Sequence, residues 1–158
     1  MFSLSVEEER NFFALTALAY LVKPGKLGSK TKYTHIESQE SLYLKVDTPE
    51  NLKEKLLQRN EIKAKTKTPI QPSLVFVGNG PAQFDSYCEV NETLYSATSI
   101  IQAIDICFKC FFALNLQYPP PSARVWHFIQ RHVYGITTQG EKADPNVELL
   151  ATNLKLSV

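Results

Sequence analysis

Hydrophobic positions crowd most densely between Ser99 and Gly135. A helix drawn through residues 99–116 is apolar on most of its circumference, and Gln102, Asp105 and Lys109 fall on one narrow stripe, spaced three and four apart. A helix with so little polar surface is buried on most sides. Ser99 suits its N-cap, and Pro119 stops it near Leu116 or Gln117. After Pro119-Pro120-Pro121, Ser122 restarts the chain as a second N-cap. Val125, Phe128, Ile129, His132 and Val133 then recur at helical spacing, with Arg124, His127, Arg131 and Tyr134 opposite and Gly135 as a left-handed stop. The short proline connector predicts that the two helices pack as an antiparallel hairpin.

Elsewhere the pattern alternates between helix and strand periods. Ser5 and Glu8 have capping-box spacing, and Phe12, Leu15, Leu18, Ala19 and Val22 share one helical face up to Pro24-Gly25. Lys23, Lys26, Lys30 and Lys32 then form a short basic loop. Thr31–Ile36 and Leu42–Val46 read as strands around a turn at residues 37–40. Thr48-Pro49 caps a helix over Pro49–Arg59. Residues 62–72 alternate lysines with small residues and contain Pro69 and Pro72, which predicts an exposed, mobile linker. Leu74–Val77, Phe84–Val90 and Thr93–Ala97 read as three more strands, with a turn at Gly78-Asn79-Gly80-Pro81. Beyond residue 137 the tail is polar, with one last short helix over Asn146–Leu154. Together these elements predict one α+β domain over residues 1–158. About five short strands form an antiparallel sheet against the C-terminal helical hairpin and the N-terminal helix.

Composition narrows the class without naming a function. The 158 residues are 44% hydrophobic and 21% charged, as in an ordinary globular domain. The net charge of +1 argues against a chain that is wholly a polyanion binder. Met1 to Arg10 carries three glutamates, unlike a signal peptide. Asp105 and Lys109 near the middle of the most apolar run argue against a membrane span. The odd set Cys88, Cys107 and Cys110 points to free thiols in a reducing compartment, nuclear or cytoplasmic. In that setting the glycosylation sequon at Asn91-Glu92-Thr93 is irrelevant.

Candidate chemistry is sparse. Cys107, Cys110, His127 and His132 come near zinc-finger spacing. The cysteines lie inside a helical run, however, and the two histidines are five apart, so about 140° around a helix. Cys107 and Cys110 also lack the exposed strand-to-helix position of a redox pair. Gly78-Asn79-Gly80 has no following lysine and is a turn rather than a phosphate loop. No nucleophile is spaced beside a base, and Cys88, His35 and Asp85 do not form a set. Neither metal nor cofactor is expected. Lys53, Lys55, Arg59, Lys63, Lys65 and Lys67 form the one local charge excess, which could contact phosphates non-specifically. No aromatic residue lies among them to stack on bases.

The run Cys110–Pro119, followed by Val125–Gln130 and Val133-Tyr134, resembles the end of a loose group of uncharacterised animal proteins, many transposon-associated or domesticated from mobile elements. The likeness covers residues 99–136 and carries no catalytic residue. It implies a nuclear or cytoplasmic module of a larger regulatory protein. The functional expectation is therefore a non-enzymatic domain that binds another protein or itself, as in a homodimer. Trp126, Phe128 and Tyr134 would be its anchors, and Arg124 and Arg131 its charged contacts. A nucleic-acid module using residues 53–67 is the first alternative, and an enzyme or zinc module the second.

Overall fold

A computed structural model describes residues 2–27 and 31–154. The chain passes through α1 (Phe2–Leu21), the two-residue strands β1 (Lys26–Leu27) and β2 (Thr31–Lys32), α2 (His35–Leu42) and β3 (Tyr43–Val46). It continues through α3 (Pro49–Thr66), β4 (Ser73–Val77), β5 (Asp85–Val90), β6 (Thr93–Ala97) and α4 (Ile100–Ala113). A 3₁₀ turn (Pro120–Ser122), α5 (Ala123–Phe128), a π-helical turn (Ile129–Val133) and α6 (Pro145–Asn153) follow. No described helix is long and apolar enough to cross a membrane. The α+β class is as expected. Lys30 of the basic loop and the last residues of the polar tail, 155–158, lie outside the described residues.

The chain divides into two compact units, Met1–Ala14 with Tyr43–Gln117, and Leu15–Leu42 with Tyr118–Val158. The first holds a four-stranded sheet in the order β3-β4-β5-β6. This sheet is mixed, where the sequence predicts an antiparallel one. β3 runs parallel to β4, and only the β4–β5 and β5–β6 pairs are antiparallel. The physical reason is α3. Two strands joined through a helix return in the same direction, whereas a tight turn reverses them. The expected strand over Thr31–Ile36 shrinks to β2, which pairs with β1 outside this sheet, because residues 35–42 form α2. Thr34 caps that helix: its hydroxyl accepts the Glu37 N–H at 3.1 Å, and the Glu37 carboxylate accepts the Thr34 N–H at 2.7 Å. This reciprocal capping box outweighs the weak alternation of residues 31–36.

Pleating sorts the sheet into two faces. Val46, Val75 and Val77 join Leu52 of α3 in one apolar cluster, with Leu44, Leu56, Tyr87 and Leu94 against it. The other face carries Tyr43 and Phe76, which meet Phe12 of α1 and Phe84 with the Phe12–Phe84 rings at 5.0 Å. Such aromatic pairs contribute about 0.5–1.5 kcal/mol each beyond area burial. Cys88 and Cys107 meet on that side, where α4 packs with Ile100, Ala103, Cys107 and Phe111 buried.

The caps show what local chemistry decides. Thr48 accepts from the Asn51 N–H and Ser99 from the Gln102 N–H, both as predicted. Glu8 does not close a capping box, because α1 already starts at Phe2. Its carboxylate accepts the Ile100 N–H at 2.9 Å instead, at the positive end of α4. α4 ends at Ala113 rather than near the prolines. Asn115 takes the left-handed conformation (φ 49°) and lets the Leu116 N–H reach the Phe111 carbonyl. Gly78 is obligatory at φ 146°, since a Cβ there would stand 2.7 Å from the Gln83 carbonyl oxygen.

The second unit is helical with one β1–β2 ribbon. Phe128, Val147 and Ala151 form a core with Leu18 and Leu150 against it. The expected hairpin is thus divided, with α4 in the sheet unit and α5 in this one. α5 is also shorter than its pattern suggests and passes into the π turn, where the Tyr134 N–H reaches back five residues to Ile129. The wider turn shifts the helical phase, so Val133 emerges 66% exposed although its spacing placed it on the buried face. Ser122 makes no side-chain cap.

Candidate binding site

α3 continues seven residues beyond its expected end at Arg59, so much of the predicted linker is helix. That extension builds a site. Arg59 and Lys63 are four apart and share the face of α3 turned to the sheet. Ser73 begins β4 and pairs in register with Glu89 of β5. Glu89 is 1% exposed. Its carboxylate accepts the Ser73 hydroxyl at 3.1 Å and the Glu92 N–H at 2.7 Å. The Ser73 oxygen accepts in turn from Arg59 Nη1 at 3.1 Å. Lys63 Nζ stands 3.6 Å from the same carboxylate.

One buried carboxylate therefore serves two cations. Burial lowers the pKa of Arg59, and burial likewise lowers that of Lys63; in both, the attraction of Glu89 works the other way. The hairpin between β5 and β6 holds Asn91 and Glu92 at positive φ (49° and 68°), as a two-residue primed turn requires. This turn presents the Glu92 N–H to Glu89.

Beside the cluster lies a cavity of about 320 Å³, near the lower end of small-molecule sites. Asn60, Lys63 and Lys67 line it from α3 and its cap. Thr68 and Gln71 line it from the loop to β4, and Glu89, Asn91 and Glu92 from the hairpin. Lys67 is left-handed (φ 51°), and the Thr68 N–H returns to the Lys63 carbonyl, a Schellman-like end to α3.

The structure therefore splits the six basic residues. Arg59, Lys63 and Lys67 gather at the cavity or its buried floor, while Lys53, Lys55 and Lys65 are exposed and do not line it. Sequence reading missed Ser73 and Glu89. The one signal was local: Glu89 stands between Cys88 and Val90 inside a strand, and its cross-strand partner in β6 is Leu94.

The expected interaction residues are placed differently from the prediction. Trp126 is fully buried and Phe128 5% exposed, so neither offers a surface anchor. The helix that carries them is enclosed on more than its apolar stripe. Arg124 is spent on Asp144 (2.7 Å) and on the carbonyls of Lys23 and Pro24 (3.0 and 2.9 Å). Arg131 pairs with Glu148 at 2.8 Å. Tyr134 is half-buried. Gln130, 3% exposed, accepts from the Tyr118 hydroxyl at 2.9 Å and donates to Glu141 at 2.9 Å. Burial raises the Tyr118 pKa.

The zinc set is not assembled among the described residues, where no group of three or more His, Cys, Asp or Glu could hold a metal. The Cys107 thiol donates to Cys88 Sγ at 2.8 Å. His127 pairs with Glu141 at 3.0 Å, and His132 with Glu148 at 3.3 Å.

The second unit does expose apolar side chains elsewhere. Tyr20 is 69% exposed, Leu21 53% and Ile36 67%. The Tyr20 ring stacks on His35 at 4.9 Å, which ties the end of α1 to the start of α2. For Tyr20 and Leu21 the signal in the sequence was their position off the buried face of α1; Ile36 lies on α2, where the sequence predicts a strand. No family model, curated protein or solved structure matches the chain.

Proposed function

We propose that the chain is a non-enzymatic interaction domain that binds another protein or a second copy of itself. The observation that carries this reading is the exposure of Tyr20, Leu21 and Ile36, which adjoin the Tyr20–His35 stack in the second unit. Large apolar side chains grouped on a surface are the usual anchors of an interface. The Tyr20 ring is already held against His35, so less side-chain freedom is lost on binding. The anchor role moves from Trp126 and Phe128, which are buried, to these three residues. On this reading the chain serves as a module of a larger regulatory protein, nuclear or cytoplasmic, as the likeness of residues 99–136 implies.

The test is sedimentation of the full chain, joined to affinity purification with mass spectrometry, for wild type and for Tyr20→Ser/Ile36→Ser. Wild type should self-associate or recover a defined partner. The double variant should weaken that association at least about tenfold, the equivalent of losing one modest hot spot. A monomer at high concentration, with identical recoveries from both proteins, would overturn the reading.

A further inference from the structure

The cavity at the end of α3 is a site of a different kind, in which a set of hydrogen-bond donors stands beside apolar Ala64, Pro69 and Ile70. Asn60, Gln71 and Asn91 bring amide groups, Thr68 a hydroxyl, and Lys63 and Lys67 ammonium groups. Its buried carboxylate is already committed, accepting from Ser73 and the Glu92 N–H and facing both Lys63 and, through Ser73, Arg59. The cluster thus holds three cations, Arg59, Lys63 and Lys67, against one buried carboxylate. Glu92 lines the cavity as well and attracts Lys63; it is exposed, so solvent weakens that attraction.

The position at a helix C-terminus opposes an anion, since that end carries about half a negative charge. Lys63, Lys67 and, behind Ser73, Arg59 offset it, three cations against the carboxylates of Glu89 and Glu92. The end of α3 is also partly covered: the Lys67 and Thr68 N–H groups close on the Ala64 and Lys63 carbonyls. Glu89 fixes the floor, so Lys63 is held at the cavity wall before any ligand arrives.

We propose that this cavity binds a small oxyanion, a phosphate or a carboxylate, with Lys63 and Lys67 as its charged contacts and the amides of Asn60 and Asn91 completing the cradle. The oxygens of such a group accept from several donors at once, which the wall supplies and the committed Glu89 does not contest. The site is separate from the exposed apolar residues of the second unit, and neither proposal depends on the other.

The test is titration of the full-length protein with inorganic phosphate and, separately, with succinate. Sodium chloride at matched ionic strength serves as the control, with amide resonances of residues 60–71 and 89–92 as the readout. Saturable shifts confined to those segments are expected with at least one probe, and which probe acts identifies the source of the oxyanion. Lys67→Gln, at an exposed position away from the buried carboxylate, should weaken that binding about tenfold, the loss of one charge-assisted contact. Lys63→Gln should do the same; because it touches Glu89, its fold is checked by amide dispersion, and Asn60→Ala stands in if it unfolds. Shifts no larger than with chloride, or affinity unchanged in Lys67→Gln, would overturn the proposal.

Discussion

The two units handle charge in opposite ways. The sheet unit draws Arg59 and Lys63 inward and sets both against one carboxylate that is 1% exposed. The helical unit keeps its carboxylates nearer to solvent: Arg124 pairs with Asp144 and His127 with Glu141, and the partly exposed Glu148 faces both Arg131 and His132. That contrast bears on where function can reside. Pairs satisfied within a unit hold its loops and helices in place. A buried group shared between two cations leaves positive charge at a cavity wall, at a cost in desolvation that structure alone does not require.

The sharpest way to break this contrast is Glu89→Gln. Two cations would remain under the sheet without their carboxylate, and removing one member of a buried ionic set costs about 3–5 kcal/mol. Urea unfolding should show a lower midpoint with an unchanged slope. A loss below about 1 kcal/mol would mean that water already reaches the cluster. Arg124→Ala should come next. It removes an ion pair and two bonds to the Lys23 and Pro24 carbonyls, all partly exposed, for about 1–3 kcal/mol. If the two variants cost the same, the distinction between the units fails.

Acid should probe the helical unit selectively. Burial alone would raise the Asp144 pKa, but hydrogen bonds from Arg124 and Asn146 outweigh it and leave it below its ordinary value. Glu141 is likewise lowered: burial pushes it up, and Thr138, Gln130 and His127 pull it down further. A carboxylate with a depressed folded pKa binds fewer protons folded than unfolded near pH 4. Its stabilisation is complete above the ordinary carboxylate value of about 4 and is lost as pH falls through the folded value. Melting temperature followed from pH 7 to 3 should therefore drop on the acid side, and Asp144→Asn should flatten that limb. An identical acid limb in the variant would count against Asp144 as a contributor.

How much of this was legible in the sequence depends on what kind of force decides each feature. Helices with strong caps, such as those beginning at Ser99 and Thr48, follow from a few adjacent residues. So do β5 and β6, where alternation and a two-residue turn agree. The direction of β3 was not legible, because it is set by α3 as a crossover rather than by anything within the strand. The end of α3 was misjudged because alternating lysines resemble a linker. Yet lysines near a helix C-terminus oppose its negative end favourably, and Lys67 closes it in the left-handed region. The cluster around Glu89 was hidden for a related reason. Arg59 and Ser73 stand 14 residues apart, and only the folded βαβ unit brings them to 3.1 Å. In the second unit the π turn put Val133 outside by a shift of phase that no heptad or 3.6-residue template contains.

The smallest effect concerns the thiols, and it sharpens the same contrast between what a unit encloses and what it presents. Cys88 and Cys107 are fully buried and face each other at 2.8 Å between β5 and α4, while Cys110 is partly exposed. Burial raises the Cys107 pKa well above its ordinary value, and raises that of Cys110 as well. The reactive form of a cysteine is the thiolate, so burial slows a thiol both by blocking access and by withholding ionisation. At pH 8 a disulfide reagent should label Cys110 first and slowly, and label Cys88 and Cys107 only once the sheet unit opens. Cys110→Ser should then remove the native-state signal and leave stability within about 0.5 kcal/mol, as for an ordinary surface substitution. Equal labelling of all three thiols under native conditions would place the β5–α4 seam in contact with solvent, and the enclosure assigned to the sheet unit would have to be withdrawn.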